Sequence, residues 1–426
     1  MKKSAFITNF MGFYNLVWAA VLPFLRHHPR LTHSFAPRTD AAPYLTRADI
    51  WIQAASAGEA LLAVRLVQRL SPKKPVRILV TTTTDQGMAI LGQELKKDPP
   101  GSQITLSLGW FPFDCPAVTD TAVKKVRPEV MVLLETELWP ALLHCLRQHQ
   151  TRILVVNGRM SAKSSRHYRI TKPLWTRISP HHILAVSDMD ANRFQQVFEP
   201  ARVTVMPNMK FETLTSRTPE TPSSVLTDIF PCPLPVTVFA SIRRQEERQA
   251  LKMIHSLFDQ HPKQVIALFP RHMHRVESWK RRLSKTGIPV LLRSKLSTPP
   301  DGPGIILWDL FGEMRQVFNY AHAVFMGGSL KPLGGQNFLE PLLQGAPVVT
   351  GPFWDDFLWV GNQVFDSGLA QRTSDWRSAA QAMAAYLTHP QDPDHRRQNA
   401  QSYVQSRSGG TDMACRAILA ALSDHG

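Results

Sequence analysis

The sequence predicts an α/β protein of two Rossmann-like domains facing across a cleft, preceded by an N-terminal hydrophobic membrane-anchor helix. Three observations predict it. Short β-branched runs alternate with amphipathic stretches along most of the chain, the pattern of parallel sheets wrapped by helices. That series breaks once, over 213–235, where Thr, Ser and Pro dominate in TLTSRTPETPSSVLTDIFPCPLP. Finally, Ser4 to Leu25 carries no charged residue. At 426 residues the chain is too long for one ordinary core, and its 43% hydrophobic and 19% charged content excludes a disordered polypeptide. The expected organisation is an anchor over 1–30, a first domain over 45–212, a linker over 213–235 and a second domain over 236–424.

Phe6, Phe10, Phe13, Trp18, Val21, Leu22 and Phe24 make the N-terminal stretch apolar, and Arg26, His27, His28 and Arg30 follow it. Pro23-Phe24-Leu25-Arg26 is a poor cleavage site, which disfavours a removed signal peptide. A membrane span, an interfacial helix and a buried core helix stay open, with Asn9, Asn15 and Pro23 weighing against the first. Cys115, Cys145, Cys232 and Cys415 are widely spaced with no CxxC pair, so neither a disulfide framework nor a zinc site is indicated and a reducing cytosol fits. The net charge of +16 calls for an anionic partner: nucleic acid, an anionic membrane or a phosphorylated substrate. With no aromatic-rich RNA motif and no basic recognition helix, nucleic acid is disfavoured.

In the first domain the apolar runs predict strands over 50–54, 76–83, 104–108, 130–134, 153–156 and 183–186. Leu62, Leu66, Val67 and Leu70 share one face of a helix over 61–70. In the second, strands are predicted over 236–240, 265–269, 305–308, 323–326 and 348–350. Such sheets bind ligands at the carboxyl ends of their strands.

Candidate residues sit at those ends. Glu59, in Ala55-Ser56-Ala57-Gly58-Glu59, is placed either as a general base or as ordinary compensation of a helix dipole. Glu135 and Glu137, in Glu135-Thr136-Glu137-Leu138-Trp139-Pro140, are too close to ionise freely if desolvated. One of them pairs with a cation, or one simply caps a helix. Lys210 and Arg271 each follow an apolar run and suit a phosphate leaving group, unless they are plain surface charges.

The glycines of Gly327-Gly328-Ser329 and Gly334-Gly335 let backbone amides approach a phosphate, and Glu340 opens a helix from which it can reach a ribose; a Gly-rich turn without ligand is the alternative. Asp309-Leu310-Phe311-Gly312-Glu313 offers amides at a helix start, or only an N-capping Asp309. His272 and His274 lack further spaced ligands, and no metal site is expected.

In order along the chain, SAGE (Ser56–Glu59), ETELWP (Glu135–Pro140), NGRMS (Asn157–Ser161), MKF (Met209–Phe211), PRH (Pro270–His272), FGEM (Phe311–Met314), GGS (Gly327–Ser329) and NFLEP (Asn337–Pro341) follow the apolar N-terminus. The chain thereby resembles the 3-deoxy-D-manno-octulosonic acid (Kdo) transferases of lipopolysaccharide synthesis. The resemblance implies a GT-B fold, CMP-Kdo as donor and a phosphorylated lipid A precursor (lipid IVA) as acceptor. It also implies inverting, metal-independent transfer without a cofactor, at the anionic inner (cytoplasmic) membrane with the catalytic domains facing the cytoplasm. The first domain would then bind acceptor and the second the nucleotide sugar. By motif, Glu59 would be the base, Glu135 and Lys210 would stabilise the transition state, and Pro270, Arg271, Phe311, Gly312, Glu313, Asn337, Phe338, Leu339 and Glu340 would hold the cytidine monophosphate.

Three positions depart from the family pattern. Ala240-Ser241-Ile242-Arg243-Arg244-Gln245-Glu246-Glu247 stands where an STHEGEE-like loop is usual, Gln53 replaces a histidine and Pro207 replaces a glycine. These departures keep open a related transferase with another CMP-sugar or acceptor; a catalytically silent membrane-associated binding module is the remaining alternative.

Overall fold

The computed structural model describes residues 2–28, 31–215, 224–230 and 234–423. The chain divides into two compact units, Met1–Thr213 with Arg407–Gly426, and Leu214–Ser406.

The first unit is built on β1 (Ile50–Ala54), β2 (Val76–Thr82), β3 (Ile104–Trp110), β4 (Val130–Leu134), β5 (Arg152–Gly158), β6 (His182–Ala185) and β7 (Arg202–Val205). All pair in parallel, in the order β3-β2-β1-β4-β5-β6-β7. Ile50 stands opposite both Ile78 and Val130, so β1 and β4 are central and every residue of both is buried. That is why they read as unbroken apolar runs rather than as alternating ones. Strand order reverses between β1 and β4, which makes their carboxyl ends the natural ligand crevice. The unpredicted β7 is a half-exposed edge strand whose Arg202 and Thr204 hide it from an apolar scan.

The expected boundary at the C-terminus is corrected by the structure. Helix Gly410–Ser423 belongs with the first unit, where Ala414, Cys415 and Ile418 pack with Ala60, Leu66, Val67 and Met206 in one core cluster. Glu212 accepts from the amides of Gly409 and Thr411 and fixes the helix start. Burying a side chain such as Ile418 contributes about 1.5–3 kcal/mol, and Ala414 and Cys415 add less, which is reason for the chain to return.

The second unit repeats the plan with β8 (Val236–Ile242), β9 (Val265–Pro270), β10 (Val290–Leu292), β11 (Gly304–Leu307), β12 (Ala321–Met326), β13 (Val348–Thr350) and β14 (Ala370–Arg372). Their order, β10-β11-β9-β8-β12-β13-β14, reverses between β8 and β12. The short edge strands β10 and β14 were not predicted: β10 is apolar but only three residues long, and β14 carries Gln371 and Arg372. Of the expected linker, 216–223 and 231–233 lie outside the described residues. The rest is not featureless: it includes helix Ser224–Ile229, with Leu226, Ile229 and Phe230 buried and Phe230 stacked on Tyr320.

Helix Lys2–Leu25 is long and apolar enough to cross a membrane, with a mean hydropathy of 1.2 over Ile7–Leu25. Only 6% of that stretch is buried, which removes the core-helix reading. One face docks on the first unit through Ile7, Phe10, Met11 and Tyr14, with Trp18 against Phe113. Phe13, Leu16 and Phe24, on the opposite side, are 67%, 69% and 80% exposed.

Candidate active site

The β1–β4 crevice collects carboxylates. Ser56 caps helix Ala57–Arg69, accepting from Glu59 N, and Glu59 folds back to accept from Ala55 N at 2.7 Å and Ser56 Oγ at 3.0 Å. This reciprocal cap locks the Glu59 rotamer. The side chain is nevertheless desolvated: burial, then the negative charge of Glu137 and that of Glu135, push its carboxyl up to about 7 against the pull of its donors. Glu59 therefore both caps its helix and has the proton affinity of a base working near neutrality.

Glu135 ends β4 with φ 56°, a left-handed conformation that costs a non-glycine residue about 1–3 kcal/mol. Its amide donates to Val156 O on β5, which pins the turn, and its Oε1 meets Lys210 Nζ at 2.5 Å. Lys210 is itself placed by two asparagines: Asn208 Oδ1 accepts from Lys210 N, and Asn157 Oδ1 accepts from Met209 N, both at 2.9 Å. Neither Glu135 nor Glu137 caps the helix that follows. Glu137 instead accepts from Trp139 Nε1 at 2.9 Å. Burial raises the Glu137 carboxyl, while Trp139, Gln53 and Arg38 hold it down. Gln53 faces Glu137 without closing a hydrogen bond with its amide nitrogen, its Oε1 accepting from Thr81 at 2.6 Å.

In the second unit the structure overturns one expectation. The amides of the Gly327-Gly328-Ser329 turn do not face an open phosphate cradle; the carboxylate of Glu246 fills it. Glu246 is fully buried and accepts from Gly328 N at 2.5 Å, Arg243 N at 2.9 Å and Leu330 N at 3.3 Å. A Cβ on Gly327 would lie 2.5 Å from Ser241 O and 2.8 Å from Glu246 Oε1, so the glycine is required where the turn passes the Ser241 backbone and this carboxylate. Glu247 is likewise structural, paired bidentately with Arg275.

The other predicted nucleotide residues divide into groups. Arg271, after β9, is exposed, and its guanidinium has no hydrogen-bond partner among the described residues; Pro270 is buried at the end of that strand. Phe311 is 80% exposed beside Gly312 at φ 88°. Glu313 is committed internally, accepting from Arg293 at 2.8 Å and Trp308 Nε1 at 2.9 Å. Asp309 neither caps nor starts a helix: it accepts from Ser294 N and Oγ. Phe338 and Leu339 are core residues, Phe338 lying among Trp354, Phe357 and Phe365, so only their backbone is available to a ligand. Asn337 donates to Glu340 Oε1 at 3.0 Å and thereby orients that carboxylate at the start of the short helix Leu339–Leu343.

Among the described residues one trio, Asp120, Cys145 and His149, is grouped closely enough to share a metal ion. It is a poor set, because Asp120 is paired with Lys124 and burial pushes the Cys145 thiol up to about 12. Sequence reasoning missed Arg38 and Asp114. Arg38 is buried, donates to Phe111 O at 2.9 Å and lies over the Phe113 ring. Its segment, Ala36-Pro37-Arg38-Thr39, offers no signal. Asp114, in Phe113-Asp114-Cys115-Pro116, stands where a cap for the next helix would be sought, but it serves a different one.

The sequence family described as 3-deoxy-D-manno-octulosonic-acid transferase (kdotransferase) matches residues 26–213. The 3-deoxy-D-manno-octulosonic acid transferase of Bordetella pertussis is 29% identical over 100% of this chain and 99% of its own. Over these residues the chain is similar to the Kdo transferase family. The Haemophilus influenzae member is 29% identical over 71% of this chain and 70% of its own length. Among solved structures, Anabaena HepE in complex with UDP matches with a TM-score of 0.56 at 15% identity, covering 88% of this chain and 100% of that one. A glycosyltransferase from Rickettsia africae gives 0.56 at 12% identity over 89% and 99%. At those identities the likeness is one of fold, the GT-B type expected.

Proposed function

We propose that the chain transfers Kdo from CMP-Kdo to a phosphorylated lipid A precursor, by a single inverting displacement without metal or other cofactor. The observation that carries the reading is Glu59: a desolvated carboxyl with a proton affinity near 7, at the β1–β4 crevice of a chain similar to the Kdo transferase family. In the proposed step an acceptor hydroxyl loses its proton to Glu59 as its oxygen bonds to the anomeric carbon of Kdo. The bond from that carbon to the phosphate oxygen breaks, and cytidine monophosphate leaves with the electron pair. The Glu135–Lys210 pair stabilises the charge that develops. Arg271, Phe311, Gly312, Asn337 and Glu340 hold the nucleotide through their side chains or backbone, Pro270, Phe338 and Leu339 through backbone, and Glu313 by fixing the turn.

The exposed apolar face of helix Lys2–Leu25, followed by exposed Arg26 and His27, supports attachment to an anionic inner membrane with the catalytic units on the cytoplasmic side. Arg244 and Gln245, both exposed after β8 where the family carries a different loop, favour a second reading in which the donor or acceptor is a relative of these two.

The test is transfer of labelled Kdo from freshly generated CMP-Kdo to tetra-acylated lipid A precursor, with a chelator present and Glu59→Gln alongside. Transfer by the native chain only is expected. Loss of transfer on chelation would remove metal independence, activity of the variant would remove the base, and inactivity of the native chain with this pair but not with another CMP-sugar would select the second reading.

A further inference from the structure

Helix Pro140–Gln148 begins without a cap of its own. Its flanking residue Trp139 makes no capping hydrogen bond, and Pro140 has no N–H to offer. The next two amides are satisfied from far upstream: Asp114 Oδ2 accepts from Ala141 N at 3.1 Å and Oδ1 from Leu142 N at 2.8 Å. Asp114 is 1% exposed. The same Oδ2 accepts a third bond, from the hydroxyl of Tyr14 at 3.0 Å.

Tyr14 lies on the docked face of helix Lys2–Leu25, flanked by Met11, which enters the core, and by Asn15, which accepts from Cys115 Sγ at 3.4 Å. One buried carboxylate thus fastens the N-terminal helix to the start of another helix. The residues immediately before that start are Glu135 to Trp139. From Trp139 the linkage continues through its indole N–H to Glu137, whose charge bears on Glu59.

We propose that Tyr14 and Asp114 are positioning residues for transfer: the Tyr14–Asp114 hydrogen bond makes the order of the Glu135–Trp139 loop depend on whether the N-terminal helix is seated on the first unit. With the helix seated, Asp114 is held against the Ala141 and Leu142 amides, and Glu135 and Glu137 keep their places around Glu59. With it lifted, the carboxylate loses a donor and a wall of its pocket, and the loop loosens while the rest of the unit keeps its sheet. Transfer is thereby tied to attachment of the helix through which the enzyme meets its lipid surface. The proposal rests on the roles given above to Glu59 and Glu135.

The experiment is hydrogen exchange read by mass spectrometry on peptides spanning Glu135–Leu146, with kcat and the KM for CMP-Kdo measured beside it. The full chain is compared as native, Tyr14→Phe, Asp114→Asn and the double variant. Tyr14→Phe removes one oxygen and leaves the aromatic packing. It is expected to speed exchange in that peptide and to lower kcat about tenfold, the scale of one lost hydrogen bond to a charged group, at unchanged donor KM and similar melting temperature. The double variant is expected to lose no more than Asp114→Asn alone, because both changes break one linkage.

A packing role alone would lower melting temperature and leave exchange in this peptide unchanged relative to the rest of the unit. Unchanged exchange in Tyr14→Phe, or additive losses in the double variant, would overturn the proposal. If Asp114→Asn fails to fold, the exchange of Tyr14→Phe decides alone. If the native chain does not use CMP-Kdo, the donor assignment falls while the exchange result still decides this linkage.

Discussion

Lys210 Nζ stands 2.5 Å from Glu135 Oε1, and the two side chains are only 24% and 19% exposed. Glu135 holds its end of the pair from a left-handed backbone, so the arrangement is rigid on one side and cationic on the other. Lys210→Met keeps the length of the side chain and removes the charge. It is expected to lower kcat at least a hundredfold and to cost about 1–3 kcal/mol of stability, because Glu135 is left partly desolvated without a counter-charge. Transfer assays and urea unfolding check both; a variant with native kcat would separate Lys210 from the chemistry.

The pH profile reports on Glu59. A base with a carboxyl raised to about 7 is active when deprotonated, so kcat is expected to climb as pH rises through about 7 and to level off above it. Glu137→Gln removes the negative neighbour that contributes most to the shift after burial, so the midpoint should move to lower pH. A rate independent of pH from 6 to 8 would be incompatible with this assignment.

The same desolvation makes Glu59 a cost to the fold. Its folded carboxyl binds a proton more tightly than its ordinary value of 4.5, so the penalty for ionising it grows as pH rises from about 4.5 to about 7 and is complete above that. Glu59→Gln should therefore unfold at higher urea than the native chain at pH 8, by about 1–3 kcal/mol, with little difference at pH 5. Equal stability at both values would show that the caps from Ala55 and Ser56 fully offset burial.

Glu246→Ala removes the acceptor of the Arg243, Gly328 and Leu330 amides inside a closed turn. A loss of about 3–5 kcal/mol in the second unit is expected, with Glu246→Gln less damaging because one oxygen remains. Gly327→Ala should mimic the loss, since its Cβ would strike Ser241 O. Denaturant midpoints of the three variants give the order directly.

Central strands were legible because β1 and β4 are buried on both faces, and their ends drew attention to Glu59 and Glu135, which the structure places at one crevice. Edges were not: β7 carries Arg202 and Thr204, two of the three residues of β14 are Gln371 and Arg372, and β10 is apolar but only three residues long. The paired glycines at 327–328 signalled a close backbone approach, but glycine spacing cannot distinguish a phosphate from a carboxylate supplied by the protein's own Glu246. Asp114 was invisible for a related reason. Its partners, Tyr14 on one side and Ala141 and Leu142 on the other, lie at sequence separations that no local motif spans.

Because helix Gly410–Ser423 completes the core of the first unit, that unit is the last to be finished on the ribosome. At about 5–20 residues per second, the whole of Leu214–Ser406 must be translated first, leaving Leu66, Val67 and Met206 uncovered for about ten seconds or more. Premature stops after Ser406 should therefore yield aggregates rather than a shortened enzyme.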